Sequence, residues 1–185
     1  MNSKNNSKII MFLFLSCLIV FTVPALAEES KGMKLTSSAF NEGEPIPEIY
    51  SCDGKNISPP LDWESLPAGT KSLALICDDP DAPSKTWVHW VYLDIPPERN
   101  GLPENIPHGK KPSYGGTQGI NDSSVTGYFG PCPPGGKHRY YFKLYALDIM
   151  LNLKPGFSGI TKSKLLKSMK GHVLGEAQLM GTYSR

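Results

Sequence analysis

Three apolar stretches dominate the pattern along the chain, and each has the length of a strand. "KSLALICDD" (71–79) is continuously apolar up to its two closing aspartates, as in a strand buried on both faces. "WVHWVYLDI" (87–95) is β-branched and aromatic, and Pro96-Pro97 ends it. Its alternation predicts one face carrying Trp87, His89, Val91 and Leu93. "HRYYFKLYALDIM" (138–150) alternates in the same way, with His138, Tyr140, Phe142, Leu144 and Ala146 on one face. Shorter strands are expected near 33–36, 46–50 and 177–183. One segment, "TKSKLLKSMKG" (161–171), reads as a helix, with Thr161 as N-cap, Leu165, Leu166 and Met169 as its apolar stripe and Gly171 as its stop. The chain is therefore mainly β.

The first 27 residues follow a different pattern. Lys4 and Lys8 precede the apolar run "IIMFLFLSCLIVFTV", and "ALA" at 25–27 is a small-x-small cleavage site. That run is about 15 residues, short of the ~20 a membrane span needs. The expectation is a signal peptide over 1–27 and a single domain over 28–185, secreted and periplasmic, with no membrane span in the mature form. Apolar sequence continuing past Cys17 argues against a lipoprotein anchor there. A domain of this size buries roughly 68–70% of its unfolded surface.

Composition then narrows the partners. The signal holds two of the 19 Lys+Arg and none of the 17 Asp+Glu, so the mature chain is close to neutral. It lacks the basic balance expected of a nucleic-acid partner. Residues 96–137 hold 8 Pro and 9 Gly, about half of the 17 Pro and 18 Gly in the chain. A segment that long between strands, containing Tyr114, Tyr128, Phe129 and Cys132, reads as an ordered functional loop system rather than a linker. Of the three cysteines after the signal, Cys77 lies inside an apolar strand. Cys52 and Cys132 sit in Pro/Gly loops and make the better pair for one disulfide, although sequence alone does not set their distance.

A histidine on an apolar strand face is by default a core residue. Here two of them, His89 and His138, each border a Pro/Gly loop, and Asp79 and Asp81 end a neighbouring strand. Together they suggest one pocket. Two imidazoles and the Tyr140 hydroxyl offer directed donors for phosphate or carboxylate oxygens, above an apolar floor from Trp87. The aspartates would orient the imidazoles, and would hold the ammonium of a zwitterionic ligand. Prolines around the rim would limit the ordering cost of binding. Rival chemistries lack their signatures. No H-E-x-x-H or C-x-x-C supports a metal, and no G-x-S-x-G supports a serine nucleophile. A Cys132–His138 nucleophile pair is open on spacing, against the tendency of loop cysteines in exported proteins to be bridged.

"DPDAP" (79–83), "WVHW" (87–90) and "GPCPPGGKHRYYF" (130–142) resemble the two signature regions of the phosphatidylethanolamine-binding protein family, which includes the Raf kinase inhibitor proteins. "YSCDGKNISPPLDW" (50–63), "SYGGTQGINDSSVTGYFGPCPP" (113–134) and "GHVLGEAQLMGTY" (171–183) are similar to its bacterial YbhB/YbcL-like branch. The resemblance covers essentially the whole chain after the signal. It implies an antiparallel β-sandwich with long Pro/Gly-rich loops and a C-terminal helix, and a small anion pocket without a cofactor. Asp79, His89, His138 and Tyr140 match pocket positions, and Asp81 and Arg139 match positions beside it. Arg139 falls on the opposite strand face, which suits an ion pair with Asp81. Pro134 aligns with a pocket proline, although "PPGGK" is shorter than in animal members. The resemblance also allows a homodimer. The function it implies is binding of a phosphate, a carboxylate or a phospholipid headgroup, acting through inhibition or scaffolding of an unidentified partner protein. The eukaryotic kinase-inhibitor role does not carry over to an exported bacterial-type protein. The alternative is a weak hydrolase using His89 and His138; the lack of an activated nucleophile or metal motif favours a non-enzyme.

Overall fold

The computed structural model describes residues 32–154 and 159–185, so the signal-peptide reading of 1–27 lies outside the described residues. In chain order the strands are β1 (Lys34–Thr36), β2 (Leu61–Glu64), β3 (Ser72–Asp79), β4 (Trp87–Ile95), β5 (Gly101–Leu102), β6 (Thr117–Gln118) and β7 (Lys137–Leu147). The helix α1 (Lys162–Met169) and the long strand β8 (Val173–Ser184) follow. They form two antiparallel sheets, of order β1-β2-β5 and β6-β4-β3-β7-β8.

The continuous apolar run takes the centre of the larger sheet because only there are both faces covered. All eight residues of β3 are buried. Leu73, Leu75 and Cys77 face the small sheet and pack with Leu61, Trp63, Leu102, Tyr92 and Phe142. Ala74 and Ile76 face the other way, against Leu165 and Met169 of α1. The mainly β sandwich with one late helix is thus the observed class. Burial of a Phe142-sized side chain stabilises by about 1.5–3 kcal/mol, so this two-sided strand anchors the domain.

On β7, alternation holds throughout. Tyr140, Phe142, Leu144 and Ala146 share the inter-sheet face, while Leu147 lies on the helix side. On β4 it breaks. Cys77 pairs with Trp90 but Asp78 pairs with Val88, so His89 is an extra residue in a β-bulge. Trp87 and His89 therefore do not share a face with Val91 and Leu93. Those two pack under α1, whereas Trp90 and Tyr92 face the small sheet. A second register shift accommodates Asp94, whose φ of 54° is left-handed. Its carboxylate accepts from the N–H groups of Leu151 (2.7 Å) and Asn152 (2.9 Å).

Two further expectations are corrected. Residues 46–50 are not a strand: Pro47 precedes a 3-10 turn at Glu48–Tyr50, and only Pro45 bridges to β8. On α1, Thr161 does cap the helix through the Lys164 N–H, but Leu166 is 40% exposed while Leu165 and Met169 are buried. The Pro/Gly segment is ordered from within. Buried Gln118 accepts from Trp90 Nε1 at 2.8 Å and donates to the carbonyls of Pro107 and Gly109, each at 2.8 Å.

The two aspartates closing β3 point to opposite faces. Asp78 is fully buried on the helix side, where Lys143 of β7 (2.8 Å) and Lys162 of α1 both hold it. A buried charge needs such partners. Asp79 opens on the other face, toward the histidines.

Candidate functional site

The bulge at the start of β4 and the first residues of β7 bring His89 and His138 to one cavity of about 330 Å³. Asp79, Trp87 and Pro134 also line it. Tyr140 lies beside this cluster, its ring edge-on to His89 with centroids 5.1 Å apart. Asp81 does not join them. Its carboxylate takes Arg139 Nε (2.9 Å) and Nη2 (2.7 Å) and the Arg139 backbone N–H (2.9 Å), outside the cavity lining. These bonds hold the Asp81 carboxyl down at about 2. The opposite-face reading of Arg139 agrees with this pair, which places the Asp81 carboxylate beside the cavity rather than in its lining.

Each imidazole has one nitrogen committed to the protein. His89 Nδ1 stands 2.7 Å from the Phe129 carbonyl oxygen, which only accepts, so Nδ1 carries the hydrogen. Burial holds the pKa of His89 below the ordinary histidine value, against the Phe129 carbonyl and the Asp79 charge, which pull it upward. His138 Nδ1 stands 2.7 Å from Asp79 Oδ2. The other Asp79 oxygen, Oδ1, accepts from the Asp81 N–H at 2.8 Å. In both rings Nε2 has no hydrogen-bond partner among the described residues. A neutral ring offers a lone pair there and a protonated ring offers a donor.

Beside the rings is a buried hydroxyl that makes no well-formed hydrogen bond, although the Asp79 carboxylate and the Cys132 backbone lie close enough to act on it. The Tyr140 hydroxyl is the one buried side-chain polar atom without a partner among the described residues. Burial and the nearby Asp79 charge push its pKa well up, so it stays a protonated donor. Both histidines line the cavity.

Sequence reasoning missed several contributors. Phe129 lines the cavity, stacks with the His89 ring at 6.4 Å and donates its backbone N–H to the His89 carbonyl at 3.0 Å. Asn121 holds the same loop, donating to the carbonyls of His89 (3.3 Å) and Gly127 (3.0 Å) while its own oxygen accepts from the N–H groups of Ser123 and Val125. An aromatic residue directly before a Gly-Pro-Cys-Pro-Pro run was the available signal for Phe129. Cys52 and Cys132 are bridged, with Cα atoms 5.4 Å apart, and Cys132 lines the cavity. Gly130 lets the chain pass there, since a Cβ would sit 2.1 Å from the Tyr50 carbonyl oxygen. Cys77 is a buried free thiol. Among the described residues, no three His, Cys, Asp or Glu side chains converge as a metal ion would need.

The chain is thus a β-sandwich protein with a pocket at the ends of three antiparallel strands, where paired histidines lie behind a Pro-rich rim. The family model for phosphatidylethanolamine-binding protein matches residues 36–184, and the chain belongs to that family. It is 58% identical over 153 residues to a UPF0098 protein of Methanothermobacter thermautotrophicus, covering 83% of this chain and 99% of the relative. The crystal structure of a phosphatidylethanolamine-binding protein homologue from Chlamydia trachomatis superposes with a TM-score of 0.74 at 44% identity, over 83% of this chain and 98% of that one. Escherichia coli YbcL, described as a member of the mammalian family, also gives a TM-score of 0.74, at 30% identity over 84% of this chain and 99% of its own.

Proposed function

We infer that the protein is an exported, periplasmic binding protein for a small oxyanion, a phosphate or carboxylate group, held at the His89–His138 cavity. One observation carries the reading: two imidazoles, each with Nδ1 engaged by the protein, line one cavity, and a buried hydroxyl without a partner among the described residues lies beside them. Native structures rarely leave such a hydroxyl orphaned without a functional reason. An oxyanion in the cavity accepts from a protonated imidazole, and the adjoining Tyr140 hydroxyl becomes a second donor when a small side-chain shift opens it to the ligand. Because Nδ1 of each ring is already engaged, a fully deprotonated anion is bound best when a ring takes up a proton at Nε2, and acidic conditions favour the complex. Binding then serves to inhibit or scaffold a partner protein, with the rim loops presenting the occupied state.

The Asp79–His138 pair is also the base-and-orienter half of a hydrolytic dyad, and it is the observation behind a second, hydrolase reading. Calorimetric titration with inorganic phosphate near pH ~5.5, where free histidine is mostly protonated, tests the first. Saturable binding that is lost in a folded His138→Gln protein is expected. Undiminished binding in that variant would overturn the assignment. Release of phenol from phenyl phosphate, followed over a day, would favour the hydrolase reading instead.

A further inference from the structure

We propose that the corner of the domain built around α1 docks on an anionic lipid surface, with its lysines among the headgroups and its exposed apolar side chains in the interface.

From Ile149 to Gly175 the sequence holds five lysines and no aspartate or glutamate. The whole chain carries a formal charge of +2, so everything outside this stretch sums to −3. Of the five, Lys162 is committed to the buried Asp78. Lys154, Lys164, Lys167 and Lys170 are exposed and have no ion-pair partner among the described residues. The same stretch holds all four large apolar side chains that stand exposed among the described residues: Met150 (45%), Leu166 (40%), Val173 (43%) and Leu174 (41%).

The fold gathers these residues. Leu165 and Met169 fill the inner side of α1, so Lys164 and Lys167 stand on its outer side. Lys164 Nζ donates to the Lys154 carbonyl at 2.9 Å and holds that segment beside the helix. The His172 N–H donates to the Met169 carbonyl (2.9 Å), and the Asp148 N–H to the His172 carbonyl (3.1 Å). The end of α1, the start of β8 and the end of β7 therefore meet. Exposed Lys71 joins them through its N–H, 2.8 Å from the Leu147 carbonyl oxygen. Asp148, the acid in this corner, is engaged by His172 Nδ1 at 2.9 Å.

The chemistry separates the partners. Forked recognition of single phosphates uses arginine, and the stretch has none. Protein interfaces are depleted in lysine. A purely electrostatic partner would leave four apolar side chains in water, whereas a lipid interface covers them while the lysine ammonium groups stay at headgroup level. The corner lies at the Ser72 end of β3 and the cavity at its Asp79 end, eight residues or roughly 23 Å along the strand. Docking there leaves the cavity open to solution and requires no ligand in it.

Co-sedimentation of the mature protein with vesicles tests the proposal. The probes are vesicles of phosphatidylcholine alone and of phosphatidylcholine with an equimolar amount of phosphatidylglycerol, at ~0.15 M salt. Binding is expected to the mixed vesicles only. A lysine at an anionic surface strengthens binding about fivefold, so the double variant Lys164→Gln, Lys167→Gln should bind about 25-fold more weakly. Lys110→Gln with Lys111→Gln, which removes two exposed lysines from the Pro/Gly loop, should stay within about twofold. Leu166→Gln with Leu174→Gln should lose about fivefold through the apolar contact, and His138→Gln should bind as the parent does. Folding of each variant is checked by its thermal transition. Equal losses in the two lysine pairs, or full binding by L166Q/L174Q, would reduce the effect to unspecific charge attraction and overturn the proposal. Loss of binding in folded H138Q would move the contact to the cavity and overturn it as well. So would failure of the parent to bind the mixed vesicles, a result that leaves phosphate binding in solution untouched.

Discussion

Replacing Tyr140 by Phe separates the demands of folding from those of binding. The Tyr140 ring is fully buried, and its hydroxyl has no hydrogen-bond partner among the described residues. An unsatisfied buried polar group costs about 1–3 kcal/mol relative to an apolar one, and the substitution leaves no large cavity because only one oxygen is removed. The ligand-free variant should therefore be as stable as the parent, or more stable by about 1–2 kcal/mol. For a domain of this size that raises Tm by roughly 2–8 °C. Binding should move the opposite way. A hydrogen bond to a charged acceptor contributes about 1.5–3 kcal/mol, so phosphate affinity should fall by roughly 10- to 100-fold.

The assay pairs thermal denaturation in anion-free buffer with calorimetric titration of phosphate. Raised or equal stability together with weakened binding is the signature of a polar group kept for a ligand at some expense to the fold. Loss of stability with unchanged phosphate affinity would refute the reasoning. That result would mean the hydroxyl is satisfied inside the native protein and does not meet the anion.

pH acts through His89. Its folded pKa is held low by burial, so stability from the neutral ring is present above the unfolded value of ~6.5 and declines as pH falls below it. The ligand-free Tm should drop between about pH 7 and 5, and phosphate should restore more of it at the lower pH; equal restoration at both would exclude proton uptake. The Cys52–Cys132 bridge closes a separation of 80 residues. Reduction should destabilise by about 4 kcal/mol on chain-entropy grounds, and recovery of Cys132 alkylated without reduction would show the bridge absent in the mature protein. Arg139→Ala should leave phosphate affinity within about twofold and change Tm little, as for other exposed pairs; a large loss of affinity would bring Asp81 and Arg139 into the site.

What the sequence disclosed depended on unbroken alternation. β7 keeps its period from His138 to Ala146, and its inward face was readable residue by residue. β3 was readable because apolar side chains fill both of its faces. β4 was not, since the bulge at His89 inserts one residue and reverses the side chains from Trp90 to Leu93, until the second shift at Asp94 restores the phase. The period alone gives no sign of that insertion, because Val91 and Trp90 are equally acceptable on either face. β5 and β6 have two residues each and carry no period at all. The Pro47 turn was mistaken for a strand because "IPEIY" has strand composition, although Pro47 lacks an N–H and pairing with β8 stops after Ile46. Asp81 looked like a pocket acid by proximity to Asp79. Its fate was decided by Arg139, a residue 58 positions away on the outer face of β7.

The adjacent acids at the end of β3 join these two scales. Had the strand stayed apolar to its end, nothing would orient the residues beyond it. Alternation sends Asp78 into the helix side, where Lys143 and Lys162 fasten β3 to β7 and to the first turn of α1. It sends Asp79 to the other side, where one oxygen fixes His138 and the other fixes the turn at Asp81. The bulge in β4 opposite this point turns His89 toward the same cavity while Trp90 stays in the core. Scaffold and site therefore share consecutive residues. A charge is tolerated on each face of a buried strand end because each finds a full set of partners, and the inner set leaves free the nitrogens that an oxyanion can use.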